Sequence, residues 1–293
     1  MHRGIAAQVS YGRLRAKAKP YGIGGNQQAD SGMRIRVGAA TDVGRVRKQN
    51  EDAFALAAEQ GLLVVCDGMG GTAFGEVASQ MAVATILGQL NGSQDTGEPP
   101  TAEEAGGYML RTSRLAEAVR RANKAIFQEA QNDEAKADMG TTVVAAWVSG
   151  DIASVAHVGD SRAYLWRKDH FEPLTRDHSF VEEQVKAGVL DRAHSLQSEK
   201  QNILLRALGR EPEVDVDVSE VPVQPGDYLL LCSDGLTRMV PETAMSEAIA
   251  NLREPDAICR SLVDAANNNG GADNVTVVVA EIQSEGWRRW LSV

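Results

Sequence analysis

The sequence predicts an α+β chain in four layers, two antiparallel sheets sandwiched between helices. Two observations carry that expectation: strand-like runs gather in two groups, and a pair of helical segments follows each group. The regular strand-to-helix alternation of a doubly wound parallel sheet is missing.

Residues 34–41 alternate like a strand and end in the turn Asp42-Val43-Gly44. Residues 53–57 and 62–66 read as a hairpin pair, and the cluster Gly68-Met69-Gly70-Gly71 leads into an alanine-rich helix over about 75–90. Residues 91–107, with their Gly, Pro and acidic content, read as a surface loop; 108–131 has helical periodicity. These two helices are expected on one sheet face. Runs at 141–148, 152–158 and 162–166, broken by Ser149-Gly150-Asp151 and Gly159-Asp160-Ser161, read as an antiparallel meander. Residues 179–187 form a short amphipathic helix, and the polar stretch onward to about 203 has the character of a mobile flap. Residues 214–218 alternate valine with aspartate, which reads as the wet face of a strand rather than a calcium loop. A strand at 228–232, helices at 242–252 and 255–267, and a last strand at 275–282 complete the pattern.

A folded domain is expected over 33–283, with a basic extension at 1–32 and a short tail at 284–293. The extension lacks apolar periodicity and sets Arg3, Arg13, Arg15, Lys17 and Lys19 against the single acid Asp30, the composition of a disordered segment. Contact with an acidic partner is its other reading; the apolar core of a signal peptide is missing. The tail segment Trp287-Arg288-Arg289-Trp290-Leu291 reads either as a docking element or as a turn packing its tryptophans onto the domain.

A formal charge of −10 over 293 residues argues against general nucleic-acid binding and fits a cluster of metal-binding carboxylates. No stretch approaches the roughly 20 apolar residues needed to cross a bilayer, so no membrane insertion is expected. Cys66, Cys232 and Cys259 lack zinc spacing and cannot all pair, which fits buried thiols in a cytoplasmic protein. A monomer is expected.

The chemistry concentrates at strand ends. Two apolar runs finish in Asp-Gly, at Asp67-Gly68 and Asp234-Gly235, and Asp160 and Asp273 sit at the edges of further strands. Hard oxygen ligands on rigid strands suit Mg²⁺ or Mn²⁺. Ordinary turn chemistry after a strand is the alternative for any single Asp-Gly pair. Arg47, Glu51 and Asp52 bring a cation and two acids together just before a strand; a guanidinium fork can hold two phosphate oxygens, while a solvated charged turn is the plainer reading.

Taken in order, the runs Val43 to Asp52, Asp67 to Gly71, Met139 to Thr142, Val158 to Arg162, Leu174 to Ser179, Ser233 to Thr237 and Ala272 to Thr276 resemble the metal-dependent protein phosphatase 2C family, particularly its bacterial members. The likeness spans Arg36 to about Ile282. It implies an α-β-β-α sandwich with two Mn²⁺ or Mg²⁺ ions and a weaker third. By that resemblance Asp67 bridges both core ions, the Gly68 carbonyl helps bind one, Asp234 with Asp273 completes the other, and Asp160 with Asp234 holds the third. Glu51 and Asp52 would orient metal-bound water, and Arg47 would align the substrate phosphate. The implied reaction is hydrolysis of phosphoserine and phosphothreonine in proteins by a metal-bridging water or hydroxide, opposing a bacterial serine/threonine kinase. A phosphoprotein-binding module with the same fold and weak turnover is the alternative.

The chain departs from the family pattern in two places. Thr72 stands where many bacterial relatives carry His, which leaves the general acid unassigned. His157 and His178 read as hydrogen-bonded structural histidines. Residues 198–209 lack the usual His-Pro approach, which points to an altered peptide preference.

Overall fold

Period-two burial along the central strands builds two sheets with two apolar faces each. The computed structural model describes residues 33–70, 74–91, 107–190 and 203–284. The strands are β1 (Met33–Asp42), β2 (Asp52–Ala57), β3 (Leu62–Met69), β4 (Gly140–Thr141), β5 (Val143–Ser149), β6 (Ile152–Val158), β7 (Arg162–Arg167), β8 (His170–Pro173), β9 (Asp217–Pro222), β10 (Tyr228–Cys232) and β11 (Val275–Ser284). The helices are α1 (Phe74–Asn91), α2 (Leu110–Gln131), α3 (Phe180–Lys186), α4 (Asp234–Thr237), α5 (Glu242–Leu252) and α6 (Pro255–Asn268). The expected extension at 1–32, Thr72, most of the 91–107 loop, most of the flap, and all of the tail beyond Ser284 lie outside the described residues.

One sheet has the order β1-β11-β10-β7-β8 and the other β2-β3-β5-β6-β9, with β4 beside β3. Every pairing is antiparallel. On β3, Leu62, Val64 and Cys66 face α1 and α2, whereas Leu63 and Val65 face the other sheet. On β10 the split is Tyr228, Leu230 and Cys232 toward α5 and α6 against Leu229 and Leu231 toward the first sheet. These central strands are therefore apolar on both sides, and the stack is the expected four layers. Among the described residues no helix is long and apolar enough to cross a membrane.

Four local expectations are corrected. The run at 162–166 does not continue the meander: β5 and β6 pair in one sheet, while β7 pairs with β10 and β8 in the other. Gly159, at φ +108°, carries the chain across, with room for no side chain because an added Cβ would meet Thr142 Cγ2 at 2.6 Å. The run at 141–148 divides at Thr142 into β4 and β5. The strand expected at 214–218 is β9, Asp217–Pro222, because its partner β6 turns away after the His157–Asp217 pair. Val214 and Val216 still pack on the core, so the alternation was a burial pattern without a ladder. Strand β8 was not anticipated: Lys168 and Asp169 both take positive φ in a two-residue hairpin turn, without the glycine that marks such turns.

Candidate metal centre

The two Asp-Gly pairs are not turns. Neither Gly68 nor Gly235 has positive φ, and each is needed for close approach of backbones. A Cβ on Gly68 would meet the Gly75 carbonyl oxygen at 2.1 Å, and one on Gly235 would meet the Asn274 oxygen at 2.0 Å. Removing the side chain lets α1 press against the end of β3, and α4 against the start of β11. Both aspartates are thereby brought to one edge of the stack.

Asp67 lies opposite Asp52 in the β2–β3 ladder. Its backbone is fixed by Thr142, whose Oγ1 accepts from Asp67 N at 3.0 Å and whose N–H donates to Asp67 O at 2.8 Å. Asp52 sits behind the cleft: Ser233 Oγ and Thr276 Oγ1 donate to its Oδ2 at 2.8 and 2.7 Å. Asn274 ties down the loop carrying Arg47 and Glu51, accepting from Glu51 N at 2.8 Å and donating to the Val43 and Gln49 carbonyls at 2.9 Å each. Arg47 Nη2 donates to Asp273 Oδ2 at 2.8 Å. Sequence reasoning assigned no role to Ser233, Asn274, Thr276, Thr142 or Arg238. Ser233 and Asn274 adjoin predicted ligands, and that adjacency was the available signal.

Asp160 lies where the chain crosses between sheets. His178 holds that crossing from behind: Gly159 N–H donates to His178 Nδ1 at 3.2 Å, and His178 N–H donates back to Gly159 O at 2.9 Å. His157 stacks on His178 with ring centroids 4.6 Å apart, its Nε2 donating to the Arg176 carbonyl at 2.8 Å. Because Nδ1 of His178 accepts, its proton sits on Nε2, 3.3 Å from Asp217 Oδ2. Asp217 also takes Arg206 Nη1 at 2.8 Å. His178 Nε2 has no hydrogen-bond partner among the described residues, so the His157–His178–Asp217 trio is held by the ring stack, the His157–Arg176 bond and the Arg206–Asp217 pair.

Asp67, Glu51, Gly68, Asp160, Asp234 and Asp273 line one cleft of about 500 Å³, with Arg47 and Arg238 in its wall. Six of the eight predicted site residues therefore meet there as acids or carbonyl, Arg47 joins them, and Asp52 lies immediately behind. The hollows of about 610 and 810 Å³ elsewhere gather fewer carboxylates. Burial, reinforced by Asp52, Asp234, Asp160 and Asp273, holds Asp67 well above the usual carboxylate range. Burial pushes Asp52 up to about 7, against hydrogen bonds from Thr276 and Ser233. Asp160 is pushed up to about 8 by burial, Asp234 and Asp177, with Arg238 opposing. Asp234 is also raised, chiefly by burial.

Crowded buried carboxylates are unfavourable as anions unless cations join them. Asp52 Oδ1 and Asp234 Oδ1 are buried without a hydrogen-bond partner among the described residues. An all-oxygen set with unused buried lone pairs fits hard divalent ions. Arginine beside such ions adds a place for a phosphate ester, and a protein answering both charges in one cleft is of the metal-dependent phosphatase class.

The chain belongs to the protein phosphatase 2C family, whose profile matches residues 44–264. It is 40% identical over 244 residues to the serine/threonine phosphatase stp of Listeria innocua, covering 82% of this chain and 93% of that protein. Among solved structures, the serine/threonine phosphatase Stp1 of Staphylococcus aureus superposes with a TM-score of 0.77 at 31% identity, covering 89% of this chain and all (100%) of that one. The catalytic domain of the phosphatase PstP, in complex with 2 manganese ions, gives 0.74 at 33% identity, covering 86% of this chain and 100% of that one.

Proposed function

We propose that the chain is a metal-dependent phosphatase for phosphoserine and phosphothreonine in proteins, acting against the products of a serine/threonine kinase in the cytoplasm and working as a monomer. The observation that carries this reading is the convergence of Asp67, Asp160, Asp234 and Asp273 in one cleft with Arg47 at its wall. The relatives' names and the manganese-bound PstP structure support it.

In this reading Asp67, the Gly68 carbonyl, Asp234 and Asp273 would hold two core ions, with Asp67 shared between them. A looser third belongs to Asp160 with Asp234. Bound there, Mn²⁺ or Mg²⁺ lowers the pKa of water and neutralises charge gathering on the phosphoryl oxygens. Glu51 and Asp52 orient that water through their carboxylates, Asp52 itself pinned by Ser233 and Thr276. Arg47, already extended across the cleft to Asp273, presents its fork to the phosphate. Phosphoryl transfer needs little beyond this positioning and charge. The buried thiols have no part in it: burial pushes Cys66 and Cys232 far from thiolate formation.

A second hollow of about 810 Å³ runs on from Met69 and Gly70 along Ile203, Leu205, Arg206 and Asp215. Ile203 and Leu205 are exposed there, which suits the peptide flanking the phosphoresidue.

The test is hydrolysis of p-nitrophenyl phosphate and a phosphothreonine peptide with Mn²⁺, against an EDTA control. Turnover of neither substrate with metal would sink the reading. Arg47→Ala is expected to lower kcat/KM by about 10- to 100-fold, the worth of one charge-assisted contact, with Mn²⁺ affinity nearly intact. Wild-type kinetics in that variant would remove Arg47 from substrate binding.

A further inference from the structure

Arg238 brings a second guanidinium into the cleft, and its placement differs from that of Arg47. Arg47 belongs to a loop, has a side chain 52% exposed, and pairs with Asp273. Arg238 follows the one-turn helix α4, which begins at Asp234, and its N–H donates to Asp234 O at 3.0 Å. Its side chain therefore starts one helical turn beyond Asp234 and points back over it. Nη2 pairs with Asp234 Oδ2 and lies 3.6 Å from Asp160 Oδ2. One nitrogen thus sits against both carboxylates to which the third ion was ascribed.

We propose that Arg238 is a built-in cation at the Asp160–Asp234 position, competing with a third divalent ion so that this chain's centre operates with two ions until divalent concentration is high. The inference rests on the metal-centre reading above. Three observations carry it. The guanidinium is tethered by its own helix, so it needs no binding event to reach the acids, whereas a free ion must come from solution. Its planar fork of N–H donors suits carboxylate oxygens. The side chains of Asp160 and Asp234 are only 10% and 11% exposed, so a cation between them is poorly screened by salt and an ion entering there must displace the one in place. Charge balance agrees: Glu51, Asp52, Asp67, Asp160, Asp234 and Asp273 against Arg47 and Arg238 leave a formal deficit of about four charges, which two divalent ions meet in full.

The experiment is Mn²⁺ titration of the full chain by calorimetry and by the electron paramagnetic resonance signal of free Mn²⁺, for wild type, Arg238→Gln and Arg238→Lys. Thermal melts and circular dichroism confirm folding of each. Arg238→Gln keeps a polar, hydrogen-bonding side chain, though a shorter one, and removes the charge; it is expected to bind a third ion about tenfold or more tightly than wild type, the change worth ~1.4 kcal/mol. Arg238→Lys is expected to stay near wild type. Third-ion affinity that is the same in wild type and Arg238→Gln, with both core ions bound, overturns this inference and leaves the metal centre standing. Loss of third-site weakness in Arg238→Lys equal to that in Arg238→Gln also overturns it, since charge would then not be the cause. Failure of all three proteins to bind Mn²⁺ overturns the metal centre and the inference together.

Discussion

Asp67→Asn is expected to lower turnover of p-nitrophenyl phosphate by about 10³-fold or more, because it removes a carboxylate set against four others. Asp67 sits opposite Asp52 and feels Asp234, Asp160 and Asp273 as well. The amide keeps the shape and its backbone bonds to Thr142, so the fold should survive. It cannot carry the negative charge that the proposed centre asks of Asp67. The same substitution relieves repulsion among buried acids, so the variant is expected to melt higher than EDTA-treated wild type at pH 8. Added Mn²⁺ should then raise its melting temperature far less than it raises that of wild type. A variant retaining a tenth of wild-type turnover would remove Asp67 from the centre of the mechanism.

Much of this site was legible because strands deliver residues in order. Period-two apolar runs located β3, β10 and β11, and the aspartates at their ends could be read as one group without knowing the sheet order. The glycines were harder. After an apolar run, Asp-Gly reads as turn chemistry, yet Gly68 and Gly235 are ordinary in φ and serve backbone approach, which only packing reveals. The partners that pin the acids are further from view. Ser233 and Thr276 reach Asp52 across 181 and 224 residues of sequence, and no local pattern encodes such a contact. The sheet crossing at Gly159 was misread for a related reason, since Gly-Asp-Ser between two β-rich runs looks the same whether the chain returns to its own sheet or passes to the next. Arg238 was invisible because a lone arginine after a helical turn carries no signal until Asp160 is placed beside it.

Removing divalent ions is expected to lower the melting temperature by roughly 10 °C at pH 8.5 and by distinctly less at pH 5.5, given about 2–4 °C per kcal/mol for a domain of this size. Asp52 and Asp160 titrate in the folded chain at about 7 and about 8, and Asp67 and Asp234 are raised too. In the unfolded chain all four return to about 4. Between those limits the folded state binds more protons than the unfolded one, so metal-free stability is fullest below about pH 4 for these groups and is lost as pH rises through 7 and 8. His178 works in the other direction. Burial, with His157 and Arg206 nearby, lowers it to about 4; its contribution is complete above an unfolded pKa of about 6.5 and fades as pH falls toward 4. Burial lowers His157 as well, and two imidazoles against four raised carboxylates still leave the net slope downward with rising pH. Divalent cations take the place of the protons and ionise the cluster, so the loaded protein should melt almost independently of pH over this range. The measurement is a set of thermal melts from pH 5.5 to 8.5 in Mn²⁺ and in EDTA. A gap between the two curves that stays constant with pH would mean that the carboxylates are not what the metal neutralises, since only a group that exchanges protons for metal makes the gap widen as protons become scarce.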